Sequence, residues 1–228
     1  MLNVYTAVPL ETAEEIIAEF EKENPGLKGK IAIADPSRSG SSRYMTCCLL
    51  LNKKFGWGYF VKLYRNKCKL AQSNTALIKQ IAAGEIYMGI TLDYNVRKLL
   101  LDSPDAPVSC VFPAGGVVSM VSPIGLCEGC AHEDQAKRFI NWVLSVKGQG
   151  FMSKKMGIMP LRDDVPLPEG VPSPEDFKIL SCSPVWIFKN SVACGRIFND
   201  IFQGKPLPEI NTALAGGRGE YKREGNAK

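Results

Sequence analysis

The sequence holds one histidine, His132, among 228 residues. Ser-His-Asp triads and His-based general bases need that residue type, so only a site centred on His132 survives, and no nucleophile stands out beside it. Long apolar runs are also missing. No stretch of about 18 consecutive apolar residues occurs, which excludes a membrane-spanning helix. Met1 to Pro9 carry neither a basic n-region nor an apolar h-region, so no secretory signal is expected there. No Gly-Lys-Ser/Thr ending of a Walker loop is present, and no internal repeat is visible. The eight cysteines are scattered and include the adjacent pair Cys47-Cys48. That is not the spacing of a small disulfide scaffold, and a chain of this size builds a core without one.

What is present is ordinary for a globular chain: 45% apolar and 22% charged residues. Collagen, coiled coil and wholesale disorder are excluded. The net charge of +5 is spread along the chain. It suits an anionic small molecule as well as membrane headgroups or nucleic acid and does not choose among them.

Strands and helices alternate. A strand is expected at Asn3–Thr6 and a helix at Leu10–Glu23, opened by a Thr12/Glu15 capping box and closed by Asn24-Pro25-Gly26. Strands follow at Lys30–Ala34, Cys68–Ala71 and Ile86–Thr91. Helices are expected at Ser41–Phe55, Trp57–Tyr64, Thr75–Ala83 and Tyr94–Leu101. Val108–Phe112 and Val117–Val121 read as strands around a Gly-Gly turn. Glu133–Ser145 is the clearest helix, with Ala136, Phe139, Ile140, Val143 and Leu144 on one face. A short helix at Gln149–Lys155, a proline-rich loop at Asp163–Pro174 and a helix within Pro184–Phe202 complete the order. From Gln203 onward the composition predicts a disordered tail. Such alternation argues for an α/β fold with mostly parallel strands.

The strongest local signal is a strand, then Asp35-Pro36-Ser37-Arg38-Ser39-Gly40-Ser41-Ser42, then a helix. A helix N-terminus presents unpaired N–H groups and a partial positive charge. Hydroxyls from Ser37, Ser39, Ser41 and Ser42, a guanidinium from Arg38 or Arg43 and the bare backbone of Gly40 suit an anion. The plainer alternative is a capped βα loop. Gln72-Ser73-Asn74-Thr75 stands in the same place after the next strand, where an N-cap is the competing reading. Asp93 and Tyr94 follow a third strand. Ligands of open α/β sheets collect at strand C-termini, which groups the three segments. Cys127-Glu128-Gly129-Cys130 with His132 has one CxxC and no second ligand pair, so neither a metal nor a redox site is assigned to it. Trp57, Tyr59, Phe60 and Tyr64 sit at helical spacing and read as core.

Three stretches carry a resemblance: GKIAIADPSRSGSS, KLAQSNTALIKQIAAGEIYMGITLDYN and EDQAKRFINWVLSVKGQGFMSKKMGIMPLRDDVPLPEG. With the opening NVYTAVPLETAEEIIAEFEKENPG they resemble, in colinear order over residues 2 to 202, bacterial extracellular solute-binding proteins of ABC importers. The branch resembled includes ferric-iron, sugar-phosphate, phosphonate and thiamine binders. The resemblance implies an α/β fold of the type II periplasmic-binding-protein kind, with two lobes that close on a ligand. Where the family carries a long first-lobe segment, Gly26-Leu27-Lys28 here runs directly into Gly29-Lys30-Ile31, so one lobe is expected to be incomplete. Residues 1–28 and 109–202 are then a remnant of the first lobe, 29–108 the second lobe and 203–228 the tail.

The implied function is capture of an anionic solute and its delivery to an ABC permease at the membrane, with no catalysis, no cofactor, no metal and no nucleic acid. The implied place is the periplasm or the outer face of the cytoplasmic membrane. The ligand-binding residues expected are Ser37, Arg38, Ser39, Gly40, Ser41, Ser73, Asn74, Asp93 and Tyr94. Ferric binders of the family place two adjacent tyrosines after the strand matching Ile86–Thr91. This chain reads Asp93-Tyr94-Asn95, so a phosphorylated or carboxylated organic ligand fits better than a ferric complex. The alternatives are a shortened form that no longer binds ligand, a homodimer covering exposed apolar surface, and the effector-binding module of a regulator.

Overall fold

The computed structural model describes residues 28–52 and 55–205, together with Glu23 and Gly26. The expected strand at Asn3–Thr6, the Thr12/Glu15 box with nearly all of its helix, and the tail beyond Lys205 lie outside the described residues. In chain order the elements are β1 (Ile31–Ala34), α1 (Gly40–Leu51), α2 (Gly56–Arg65), β2 (Lys69–Ala71), α3 (Asn74–Ala82), β3 (Met88–Ile90), α4 (Asp93–Asp102), α5 (Glu133–Leu144), α6 (Val146–Met156), a 3-10 turn (Pro174–Asp176) and α7 (Pro184–Phe202). None of these helices is long and apolar enough to cross a membrane. Two compact units result. One takes the described residues up to Thr91 and from Cys182 onward; the other is Leu92–Ser181. Residues 92–108, grouped with the second lobe on sequence, cluster with the latter, and residues 182–202 cluster with the former.

The first unit is built on a parallel sheet in the order β2-β1-β3. Ala32 faces Lys69 across one ladder and Gly89 across the other. The central β1 is apolar without alternation, and Ala32, Ile33 and Ala34 are fully buried, as a parallel strand covered on both faces requires. Ala32, Ala71, Leu77 and Ile86 form a core against the sheet, with Ile81 beside them. Gly89 makes that contact possible: a Cβ there would stand 2.7 Å from Ile81 Cδ1 and 3.1 Å from Leu77. A second core joins α2 and α7. The Phe60 ring meets Phe198 edge-on at 5.5 Å, and Phe198 stacks on Phe202 at 4.4 Å. Burying Phe60 and Phe198 stabilises the unit by about 2–3 kcal/mol each. The reading of the aromatics as core holds for Trp57 and Phe60, which are buried, while Tyr64 is exposed. The helix expected to run to Phe55 stops at Leu51, because Asn52 turns to an extended backbone and its N–H bonds back to Leu49.

The second unit joins α4, α5 and α6. Ser145 closes α5 and caps α6, accepting from the N–H of Gly148 at 3.1 Å. α6 ends at Gly157, whose left-handed φ of 66° lets its N–H and that of Ile158 bond back to Ser153 and Met152. The Gly157 carbonyl accepts from Arg97 Nε at 2.6 Å, and Arg97 Nη2 donates to Asp93 at 2.6 Å. Gln149 bridges the Val143 carbonyl and the Leu161 N–H, holding the segment after α6 against it. The strands expected at Val108–Phe112 and Val117–Val121 do not form; a single bridge joins Val117 to Ile179. β-forming side chains make a strand only where a neighbour satisfies the backbone, and among the described residues that neighbour is one residue long.

Candidate functional site

The candidate site lies where β1, β2 and β3 end. Past β1 the chain extends one more step, the Asp35 N–H bonding to the Ala71 carbonyl at 2.9 Å, and then turns. Asp35 holds the turn from within: its Oδ1 accepts from the Ser37 N–H at 2.8 Å and the Ser37 hydroxyl at 2.7 Å. Its main-chain carbonyl accepts from the N–H groups of Arg38 and Ser39. Arg43, one turn along α1, clamps the loop from outside, donating to the carbonyls of Pro36 at 2.9 Å and Ser37 at 3.0 Å. Ser42 is buried and donates to the Ala34 carbonyl. These side chains therefore build the loop. Arg38 remains as the exposed guanidinium, its Nε 3.7 Å from Asp35 Oδ2.

Ser39 caps α1, its hydroxyl oxygen accepting from the Ser42 N–H at 3.3 Å. Ser39 and Ser41 lie 3.0 Å apart, oxygen to oxygen. Asn74, first residue of α3, reaches across from the end of β2. Its Nδ2 donates to Ser41 at 2.9 Å and Ser39 at 3.2 Å, and its Oδ1 accepts from the Thr91 hydroxyl at 3.1 Å. The amide orientation follows from this network. One half-buried polar chain thus spans the ends of all three strands.

The arrangement sorts donors from acceptors. Ser39 and Ser41 take protons from Asn74 on the protein side. Of their two hydroxyl hydrogens, the Ser39–Ser41 contact uses one, so the other remains to be donated. The N–H groups of Gly40 and Ser41, in the first turn of α1, have no acceptor within the helix. A Cβ on Gly40 would meet nothing within 4 Å, and Gly40 itself is exposed. Hydroxyl and N–H donors at a helix N-terminus, with a guanidinium beside them, recognise anions.

Of the residues singled out from sequence, Ser39, Ser41 and Asn74 are brought together and Gly40 stands beside them. Ser37 turns back to Asp35. Ser73 is exposed and caps α3 through the Ala76 N–H at 3.1 Å. Asp93 and the half-buried Tyr94 belong to the Leu92–Ser181 unit, where Asp93 is held by Arg97. Thr91 was missed. The signal was its place directly after β3, equivalent to Asp35 after β1. Cys127 and Cys130 sit on a turn closed by the Cys130 N–H to Cys127 carbonyl bond, ahead of α5. Among the described residues no group of three or more His, Cys, Asp or Glu side chains is placed to hold a metal ion.

Residues 5–179 match the family described as bacterial extracellular solute-binding protein. The chain belongs to that family. Its fold is α/β, of the periplasmic-binding-protein kind. The substrate binding protein of an ABC transporter from Agrobacterium tumefaciens superposes with a TM-score of 0.64 at 18% identity, covering 83% of this chain and 58% of that one. A protein from Bordetella parapertussis assigned as an extracellular solute-binding protein superposes at 0.57 and 19% identity, covering 78% and 56%. Among curated relatives, the Phosphoglycerate transport regulatory protein PgtC of Salmonella typhimurium is 29% identical over 150 residues, 62% of this chain and 36% of that protein. An uncharacterised protein of Haemophilus influenzae is 28% identical over 130 residues, 55% of this chain and 36% of its own length. The chain thus spans about a third of the length of these curated relatives.

Proposed function

We propose that the chain is the substrate-binding component of an ABC importer, taking an anionic solute at the Ser39–Ser41–Asn74 cluster and presenting it to a membrane permease. The observation that supports this reading is the cluster's bonding, in which Ser39 and Ser41 accept from Asn74 and one hydroxyl hydrogen and the first-turn N–H groups are left to be donated. A phosphorylated carboxylate fits this chemistry best, its anionic oxygens on the cluster and a further charge near Arg38. The name of the Salmonella relative, which refers to phosphoglycerate, is in keeping with that class. No bond is made or broken in this function. The work is done outside the cytoplasmic membrane. A homodimer is a further part of the reading, favoured by the exposed Phe139 and Leu144 of α5.

Thermal shift against 3-phosphoglycerate, sugar phosphates, phosphonates, thiamine and ferric citrate tests the proposal. A ligand at about 100 times its Kd stabilises by about 2.7 kcal/mol. A phosphorylated compound is expected to raise the melting temperature, and Arg38→Ala, Ser39→Ala and Ser41→Ala to weaken that response. No shift with any compound at millimolar concentration overturns the function. A shift undiminished in all three variants overturns the site.

A further inference from the structure

We propose that Cys47 with Cys194 and Cys48 with Cys182 form two disulfides that fasten α7 to α1 in an oxidising compartment. All eight cysteines are free in this structure, and these four are buried. They come from two distant segments of sequence that meet in the first unit: the middle of α1, and Cys182 just ahead of α7 with Cys194 in its middle. The thiols already stand beside one another in these pairs. Cys47 is a neighbour of Cys194, and Cys48 of Cys182 and Tyr44, while the Cys182 thiol donates to the Ser183 carbonyl at 3.8 Å.

Helix geometry sets the pairing. Neighbouring residues on an α-helix point about 100° apart, so Cys47 and Cys48 serve different partners. A bridge between the two is disfavoured, because adjacent Cα atoms stand about 3.8 Å apart and disulfides span about 4.4–6.8 Å. A metal is not the alternative: the four do not make a ligand group among the described residues. The family is extracellular, and disulfides persist in such compartments.

Each bridge forms by exchange with a low-molecular-weight disulfide such as oxidised glutathione. One protein thiolate attacks the glutathione disulfide, making a mixed disulfide and releasing one glutathione thiol. The partner thiol then attacks the protein sulfur of that mixed disulfide and releases the second. The protein gives up two electrons and two protons per bridge, and the glutathione disulfide takes them up as two thiols. Burial pushes Cys48 to about 11 and Cys182 to about 12, so that pair reacts slowly once folded, whereas the neighbouring Cys47 lowers the Cys194 thiol and makes it the readier nucleophile of the other pair.

The test refolds the full chain from reduced, denatured protein in a glutathione redox buffer. Remaining thiols are alkylated under denaturing conditions, and bridged peptides are mapped by mass spectrometry. Expected are Cys47, Cys48, Cys182 and Cys194 protected, the other cysteines alkylated, and a melting temperature about 5–10 °C above that of the reduced chain. Cys47→Ser should keep the Cys48–Cys182 bridge and leave Cys194 alkylated; Cys48→Ser should keep Cys47–Cys194 and leave Cys182 alkylated. If either variant fails to fold, the map of the unsubstituted chain decides. Full alkylation of these four, a Cys47–Cys48 bridge, crossed pairing or bridges between chains would each overturn the proposal.

Discussion

Replacing Asn74 by alanine removes the two hydrogen bonds it donates, to Ser39 and Ser41, and the acceptor that Thr91 uses. Each such bond contributes about 0.5–1.5 kcal/mol net, so Asn74→Ala should cost about 2–3 kcal/mol. Ser41→Ala loses the contact with Asn74 and that with Ser39, about 1–2 kcal/mol. The two losses share the Asn74–Ser41 bond. The double variant should therefore be less destabilised than the sum by about 1 kcal/mol. Ser41 is inside the first turn and Ser39 is the cap, so Ser41→Ala keeps the bond that starts α1. Urea denaturation of all four proteins, followed by the circular dichroism of the helices, measures the cycle. Additivity within about 0.3 kcal/mol would mean that the two side chains are independent, and the site described here would not exist as a unit.

Gly89→Ala should destabilise by about 1–3 kcal/mol, since its methyl would overlap Ile81, whereas Gly40→Ala, facing open space, should change stability by less than about 0.5 kcal/mol; calorimetry of both variants separates them. Gly157→Ala should cost about 2–4 kcal/mol, because φ is left-handed and the added carbon would lie 2.6 Å from Arg97 Cβ; faster amide exchange at the end of α6 reports it. For the reduced chain, burial holds the thiols of Cys48 at about 11 and of Cys68 and Cys182 at about 12. These raised values mean that the folded state keeps protons the unfolded state has lost. Their contribution is complete below about pH 8.5 and is lost as pH rises through about 11–12, so the melting temperature of the reduced chain should fall across that window. A melting temperature flat to pH 11 would contradict it.

The loop at residues 35–39 and the start of α1 were legible because Pro36, Gly40 and the serines punctuate an apolar run, and every strong preference there agrees with the fold. α5 was legible for a different reason, its 3.6-residue apolar period. Periodicity names the element and not its cover, and Phe139, Trp142 and Leu144 are exposed in this unit. Val108–Phe112 failed as a strand because pairing is not a property of the segment itself. At the site, the sequence marked which segments end at strand C-termini. It did not tell which hydroxyls are spent on the loop. Ser37 and Ser42 look like Ser39 and Ser41 in composition and differ only in what they bond to. Thr91 acquires its role only because Asn74 crosses to it.

The serine–asparagine cluster contains no group that titrates between about pH 4 and pH 10. Its affinity for an anion is therefore set by the ionisation of the visitor, not of the host. A phosphate ester, whose second proton leaves near pH 6, would be held more strongly as it becomes a dianion. A carboxylate, already ionised, would be held evenly across the same range. The pH profile of binding would thus act as a signature of the ligand's chemical class, readable before the ligand itself is identified.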